Sequence, residues 1–184
     1  GLRSMPCRYI FMDEIDSFPT DIDNEGDAVS LAEKRTMTFS RRKILMTSTP
    51  TIRDMSRIEQ EYLESDMRRY YIPCPLCGEY QYLQWSQVKW EDNDPKTAKY
   101  QCEHCGGKFE ERHKPEFLAK GEWRATAPFD GITAGFHLNG LYSPLGWKSW
   151  EEIVGDFIKA KSDAPRLKSF VNTVLGETWE EDYV

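Results

Sequence analysis

Apolar and polar positions along this chain predict strands and helices in turn, interrupted once by a stretch of different character. Residues 8–12 (RYIFM) are an apolar, β-prone run ending abruptly in Asp13, Glu14 and Asp16. That is the pattern of a buried strand whose C-terminal end meets solvent. A polar loop runs through Gly26. Residues 27–39 then place Val29, Leu31, Ala32 and Met37 at helical spacing, with Asp27 as the N-cap. Residues 43–46 (KILM) predict a second short buried strand, closed by Thr47, Ser48, Thr49 and Pro50. Ser56 opens another helix, with Glu59 three residues on as a capping box. Residues 68–72 (RRYYI) predict a third strand.

Residues 74–121 are rich in Gly, Pro, polar groups and short β-prone runs, and read as a separate small unit set into the chain. Regular patterning returns at 135–138, a fourth strand candidate, followed by helices over 150–161 and 165–175. Pro165 suits the first turn of the last helix. Strands alternating with helices on both sides of the insertion predict an α/β fold with a largely parallel sheet. The chain therefore divides into 1–73, 74–121 and 122–184.

The 184 residues are 39% hydrophobic and 13% aromatic, enough to bury a core. No run approaches the roughly 20 apolar residues of a membrane span, and the first residues lack a secretory pattern. The chain opens so close to a core strand that it reads as a fragment. A net charge of −7 argues against coating DNA by bulk attraction, though a small basic surface could still grip it.

Four of the five cysteines form two pairs, Cys74-Pro-Leu-Cys77-Gly and Cys102-Glu-His-Cys105-Gly. Two residues between paired cysteines let both sulfurs face one ion. Gly78 and Gly106 can take the positive-φ turn that aims N–H groups at sulfur. With a hairpin-like stretch between the pairs, this is the layout of a zinc ribbon. The competing readings are four cysteines unrelated in space, or a redox pair. Four sulfurs leave no open position, so a catalytic zinc is not expected. His104 could compete as a ligand but reads as a surface residue. His113 and His137 read as structural, and Cys7 as a core residue. Lys89, Lys96, Lys99 and Lys108 are nearly cancelled by Glu91, Asp92, Asp94 and Glu103. A structural or protein-contact role for the ribbon is thus preferred to DNA gripping.

An apolar strand ending in Asp13-Glu14 also fits the Walker B pattern of NTPases. One carboxylate there holds magnesium and its neighbour polarises the attacking water; Asp13 would take the first role and Glu14 the second. A solvated strand end explains the same residues more blandly. Thr47, Ser48 and Thr49 would bring three hydroxyls to the tip of the adjacent strand. Such a tip can sense a γ-phosphate or bond a catalytic carboxylate; alone, a Ser/Thr turn before Pro50 would suffice.

Together these residues resemble the large terminase subunit of lambda-type tailed phages, the GpA family. The resemblance runs from Tyr9 to Glu181. It is carried by Asp13-Glu14-Ile15-Asp16, Glu25-Gly26-Asp27, the Thr47-Ser48-Thr49-Pro50-Thr51 tip, both cysteine pairs, Phe136-His137 and the run from Lys168 to Glu180. It implies a partial P-loop-NTPase-type sheet with an inserted zinc ribbon: ATPase core in 1–73, ribbon in 74–121, and in 122–184 a return to the core with helices leading toward a nuclease. It implies ATP-driven packaging of viral DNA, with Asp13 and Glu14 as the Walker B pair and Thr47 to Thr49 as the coupling tip. Zn2+ would be structural, and Mg2+ and ATP would serve the complete protein. The implied partners are double-stranded viral DNA, a small terminase subunit and the portal or procapsid, in a motor oligomer in the host cytoplasm with no membrane. No Gly-rich loop with a following Lys and Ser/Thr occurs here. That loop is expected upstream and the nuclease carboxylates downstream, leaving this piece inactive alone. A zinc-ribbon module binding nucleic acid or protein, without catalysis, is the alternative.

Overall fold

The computed structural model describes residues 5–22, 24 and 26–181, so Glu25 of the resemblance lies outside it. Strands β1 (Tyr9–Asp13) and β2 (Lys43–Thr47) pair in parallel, in register from Tyr9↔Lys43 to Asp13↔Thr47. Helix α1 (Ala28–Lys34) lies in the crossover that parallel pairing requires. Asp27 caps it as expected, accepting the Ser30 N–H at 3.0 Å. The helix is shorter than the 27–39 stripe, because the Thr36 hydroxyl bonds the Glu33 carbonyl at 2.8 Å and closes the turn.

Met12, Ile15 and Val29 form a small core with Ile10, Ile44, Met46 and Ile58. The run read as a buried strand is covered on one face. Among the described residues, Phe11 is 78% exposed and Leu45 51% exposed on the other. Helix α2 (Arg57–Leu63) is capped by Ser56, whose hydroxyl accepts the Glu59 N–H at 3.2 Å. The Glu59 carboxylate turns instead to the Thr178 hydroxyl, at 2.7 Å.

Strand β3 (Arg68–Pro73) departs from the predicted sheet. It runs antiparallel to β4 (Tyr80–Tyr82). Next, β5 (Val88–Glu91), β6 (Asp94–Gln101) and β7 (Lys108–Phe109) make a three-stranded antiparallel sheet. Asp92 and Asn93, at φ 49 and 54, form the two-residue turn between β5 and β6. After helix α3 (Lys114–Ala119), β8 (Glu122–Arg124) adds antiparallel to β3, and the short β9 (Phe136–His137) adds parallel to it. Strand pairing is therefore mixed rather than largely parallel, with parallel pairing at β1–β2 and β3–β9 and antiparallel pairing elsewhere among the described strands. A connection as short as that from β3 to β4 can only turn the chain back; a parallel partner needs a crossover of about a dozen residues.

Helix α4 (Trp150–Ala160) begins with a complete capping box, Ser149 with Glu152. Helix α5 (Ala164–Phe170) runs into a π-helical turn, Val171–Leu175, ended by Gly176 at φ 63. Both helices pack on the cysteine-bearing stretch. Leu83, Val88, Tyr100, Phe109 and Phe117 share one apolar core with Leu141, Trp150, Ile153, Val154 and Phe170. Residues 74–121 therefore do not pack alone.

Buried polar groups add two ties. The Lys114 ammonium, fully buried, bonds Glu111 at 2.5 Å and the Ser143 carbonyl at 2.8 Å, beneath the Trp150 ring. The Asp66 carboxylate, also fully buried, accepts from Arg68 at 2.7 Å and from the Gly135 N–H at 3.1 Å, anchoring the loop ahead of β9. Among the described residues no helix is long and apolar enough to cross a membrane.

Candidate acidic rim and metal centre

Parallel register brings the two polar strand ends together. Asp13 sits opposite Thr47, whose hydroxyl donates to Asp13 Oδ1 at 2.5 Å. The same oxygen accepts the Glu14 N–H at 3.0 Å. Glu14 is left-handed, at φ 55 and ψ 45. That conformation costs a residue with a Cβ about 1 kcal/mol or more, and it turns the chain out of the strand line directly after Asp13. Thr49 Oγ1 donates to Glu14 Oε2 at 3.3 Å. Ser48 faces the next turn instead, accepting the Asp16 N–H at 3.2 Å. The rim thus gathers Asp13, Glu14, Thr47 and Thr49, with Ser48 just behind. Solvent-exposed carboxylate and hydroxyl oxygens of this kind suit a hard divalent cation. The surface hollows lined by Trp85, Ser86, Val88, Lys89 and Trp90 and by Arg8 with Phe39–Arg41 include no rim residue.

The second site is built by two knuckles with matching backbone bonds. Cys74 N–H donates to the Glu79 carbonyl and Gly78 N–H to the Cys74 carbonyl, both at 2.9 Å. Cys102 repeats this with Gly107 at 2.9 Å and Gly106 at 3.0 Å. Gly78 and Gly106 carry the expected positive φ, 80 and 71. The Sγ atoms of Cys74, Cys77, Cys102 and Cys105 lie within 4.8 Å of one another, and Cys77 and Cys102 are 3.8 Å apart. Zinc–sulfur bonds of about 2.3 Å in a tetrahedron put sulfurs about 3.8 Å apart, so these four fit one ion. Cys74 and Cys102 are 2% and 1% exposed, while Cys77 and Cys105 face solvent.

Electrostatics split the set. Burial pushes the Cys74 thiol up to about 12. Burial also opposes ionisation of Cys102, but the Cys105 N–H, the Gln81 amide and the His104 N–H outweigh it and lower that thiol to about 6. His104 turns its ring toward the Tyr80 carbonyl, at 3.2 Å, rather than into the cluster.

Cys7 is half-buried and stands apart from both sites. His137 is structural: Nδ1 lies 3.0 Å from Arg69 Nη1 and Nε2 2.9 Å from the Gly176 carbonyl. Since arginine only donates, Nδ1 accepts and the proton resides on Nε2. Sequence reasoning assigned no role to Gln81, which is fully buried and donates to Cys102 Sγ at 3.0 Å. It also assigned none to Asp16. A polar residue alternating with Tyr80 and Tyr82 on a short strand was the available signal for Gln81.

A family model described as "Phage terminase large subunit gpA, ATPase domain" matches residues 1–123. A second, "Terminase large subunit gpA, endonuclease domain", matches residues 133–184 and begins inside the stretch read as a return to the ATPase core. The "Terminase, large subunit" of Enterobacteria phage P21 is 36% identical over 97% of the chain, and that of Escherichia phage lambda 35% identical over 91%. The chain spans 31% and 30% of the lengths of those relatives. No solved structure matches it.

Proposed function

The chain belongs to the phage terminase large subunit (gpA) family, and on that premise we propose that it carries the hydrolytic rim of an ATP-driven DNA-packaging motor. The observation that carries the reading is the Asp13–Thr47 contact at the paired ends of β1 and β2. Asp13 would hold Mg2+, and Glu14 would orient the attacking water and take its proton. Thr47 and Thr49 would answer to the γ-phosphate, because a hydroxyl bonded to a carboxylate can exchange that partner for a phosphate oxygen. Mg2+ would supply charge neutralisation on the transferring phosphoryl group. The uncovered apolar face of β1–β2, with Phe11 78% exposed, suits a sheet extended by further strands and helices in a longer chain.

The four cysteines would hold Zn2+ as a staple. Four sulfurs complete its coordination, and the buried pair joins the core shared with α4 and α5. The 124–132 interval would mark the passage from ATPase to endonuclease. Double-stranded viral DNA, a small terminase subunit and the portal are the partners this reading implies for the complete protein, acting as an oligomer in the host cytoplasm. In the full-length protein, Glu14→Gln should keep ATP binding and lose turnover and packaging. ATPase rates equal to wild type in that variant would reject the role.

A further inference from the structure

We infer that Asp16 is a positioning residue for ATP hydrolysis, holding the hydroxyl tip that follows β2 against the acidic rim and tying both to α2. The inference rests on the ATPase reading above. Asp16 sits in the 3-10 turn Ile15–Ser17, just past the rim. Its N–H donates to Ser48 Oγ at 3.2 Å, Oδ2 accepts the Thr51 hydroxyl at 3.0 Å, and Oδ1 accepts the Ile58 N–H at 2.8 Å. One residue therefore bonds both ends of the 48–51 loop and the first turn of α2, where N–H groups lack intrahelical partners.

The loop needs such a tie. Pairing of β1 with β2 ends at Asp13↔Thr47, so the ladder fixes Thr47 but not Thr49. On its other side the loop is fastened to the C-terminal segment. Trp179 N–H donates to the Thr51 carbonyl and Arg53 N–H to the Trp179 carbonyl, both at 2.9 Å, and Thr178 reaches Glu59 of α2. Without the Asp16 carboxylate the loop would keep the Ser48 contact to the Asp16 N–H at its start, but its far end would follow that C-terminal anchor and lose its tie to α2. Thr49 would then lose its fixed distance to Glu14, now 3.3 Å.

The test is steady-state ATPase kinetics of the full-length protein. A displacement of about 1 Å at a reacting group costs on the order of 100-fold in rate. Asp16→Ala should lower kcat by about 10- to 100-fold and change KM for ATP by less than about threefold. Asp16→Asn keeps an acceptor for Ile58 N–H and offers Thr51 an amide donor that its hydroxyl can accept, so it should recover most of the lost kcat. A merely structural role would lower the melting temperature without splitting kcat from KM. The inference is overturned if Asp16→Ala keeps kcat within about twofold of wild type, if KM rises with kcat unchanged, or if Asn fails to rescue. Should Asp16→Ala not fold, Thr51→Val decides: reduced kcat at unchanged KM supports the inference, and wild-type kcat overturns it. A wild-type protein without ATPase activity would instead defeat the underlying ATPase reading.

Discussion

Replacing Gln81 by Met should weaken binding of Zn2+ to the four-cysteine cluster without emptying the space around it. Gln81 lies on β4 with no exposed surface; its amide donates to Cys102 Sγ at 3.0 Å, and its carbonyl accepts the Glu103 N–H at 3.1 Å. Methionine is also unbranched and fills similar space, so packing of the neighbourhood survives. The donor to sulfur does not. A hydrogen bond to a charged group contributes about 1.5–3 kcal/mol. Loss of an outer-sphere partner weakens metal binding about 10- to 100-fold, or about 1.4–2.7 kcal/mol. The two ranges overlap, and both bear on the thiol whose pKa this amide lowers.

The assay is competition for Zn2+ against a chromophoric chelator at fixed pH. Gln84→Met serves as control, because the Gln84 side-chain amide bonds Glu103 on the surface, at 3.3 Å, and no cysteine sulfur among the described residues. The control should move affinity by less than about twofold. Equal affinities for Gln81→Met and wild type would refute the argument. Lower stability of the metal-free protein with unchanged affinity would assign Gln81 to packing alone.

Glu14→Gly should abolish ATP turnover in the full-length protein while raising stability in urea by about 1 kcal/mol, since glycine adopts φ 55 without strain; a less stable variant would contradict the strain argument. Acid should cost stability through His137. Burial first, and then the Arg69 charge, hold its pKa below the usual imidazole value, although the Gly176 carbonyl pulls the other way. The unfolded chain therefore binds the extra proton first as pH falls. Stability is complete above about 6.5 and declines below it, by at most about 1.4 kcal/mol per pH unit, until the folded ring also protonates. His137→Gln should remove that slope, read as the difference between variant and wild-type urea titrations from neutral to acid pH; parallel titrations would refute it.

Features that depend on a few neighbouring residues were legible in the sequence. The knuckles are local loops: Cys-x-x-Cys-Gly specifies its own turn because glycine takes the positive φ and the two thiols share one side. The caps at Asp27 and Ser56 satisfy N–H groups within three residues of themselves. The polar ends of β1 and β2 could be read because each apolar run gives way abruptly to acid or hydroxyl groups. Their pairing was an expectation that only the parallel register, Asp13 opposite Thr47, decided.

Everything that depended on which distant segments meet belonged to the tertiary structure. Residues 68–72 look like any strand of a parallel sheet, and a run of alternating side chains says nothing about the direction of its neighbour. The core joining the cysteine-bearing stretch to α4 and α5 also formed without a local signature. Gln81 bonds a sulfur 21 residues away, Asp16 a helix 42 residues away, and Thr178 a carboxylate 119 residues away. Such contacts leave no periodic trace in the chain, because a hydrogen bond constrains two positions in space and is indifferent to the length of polypeptide between them.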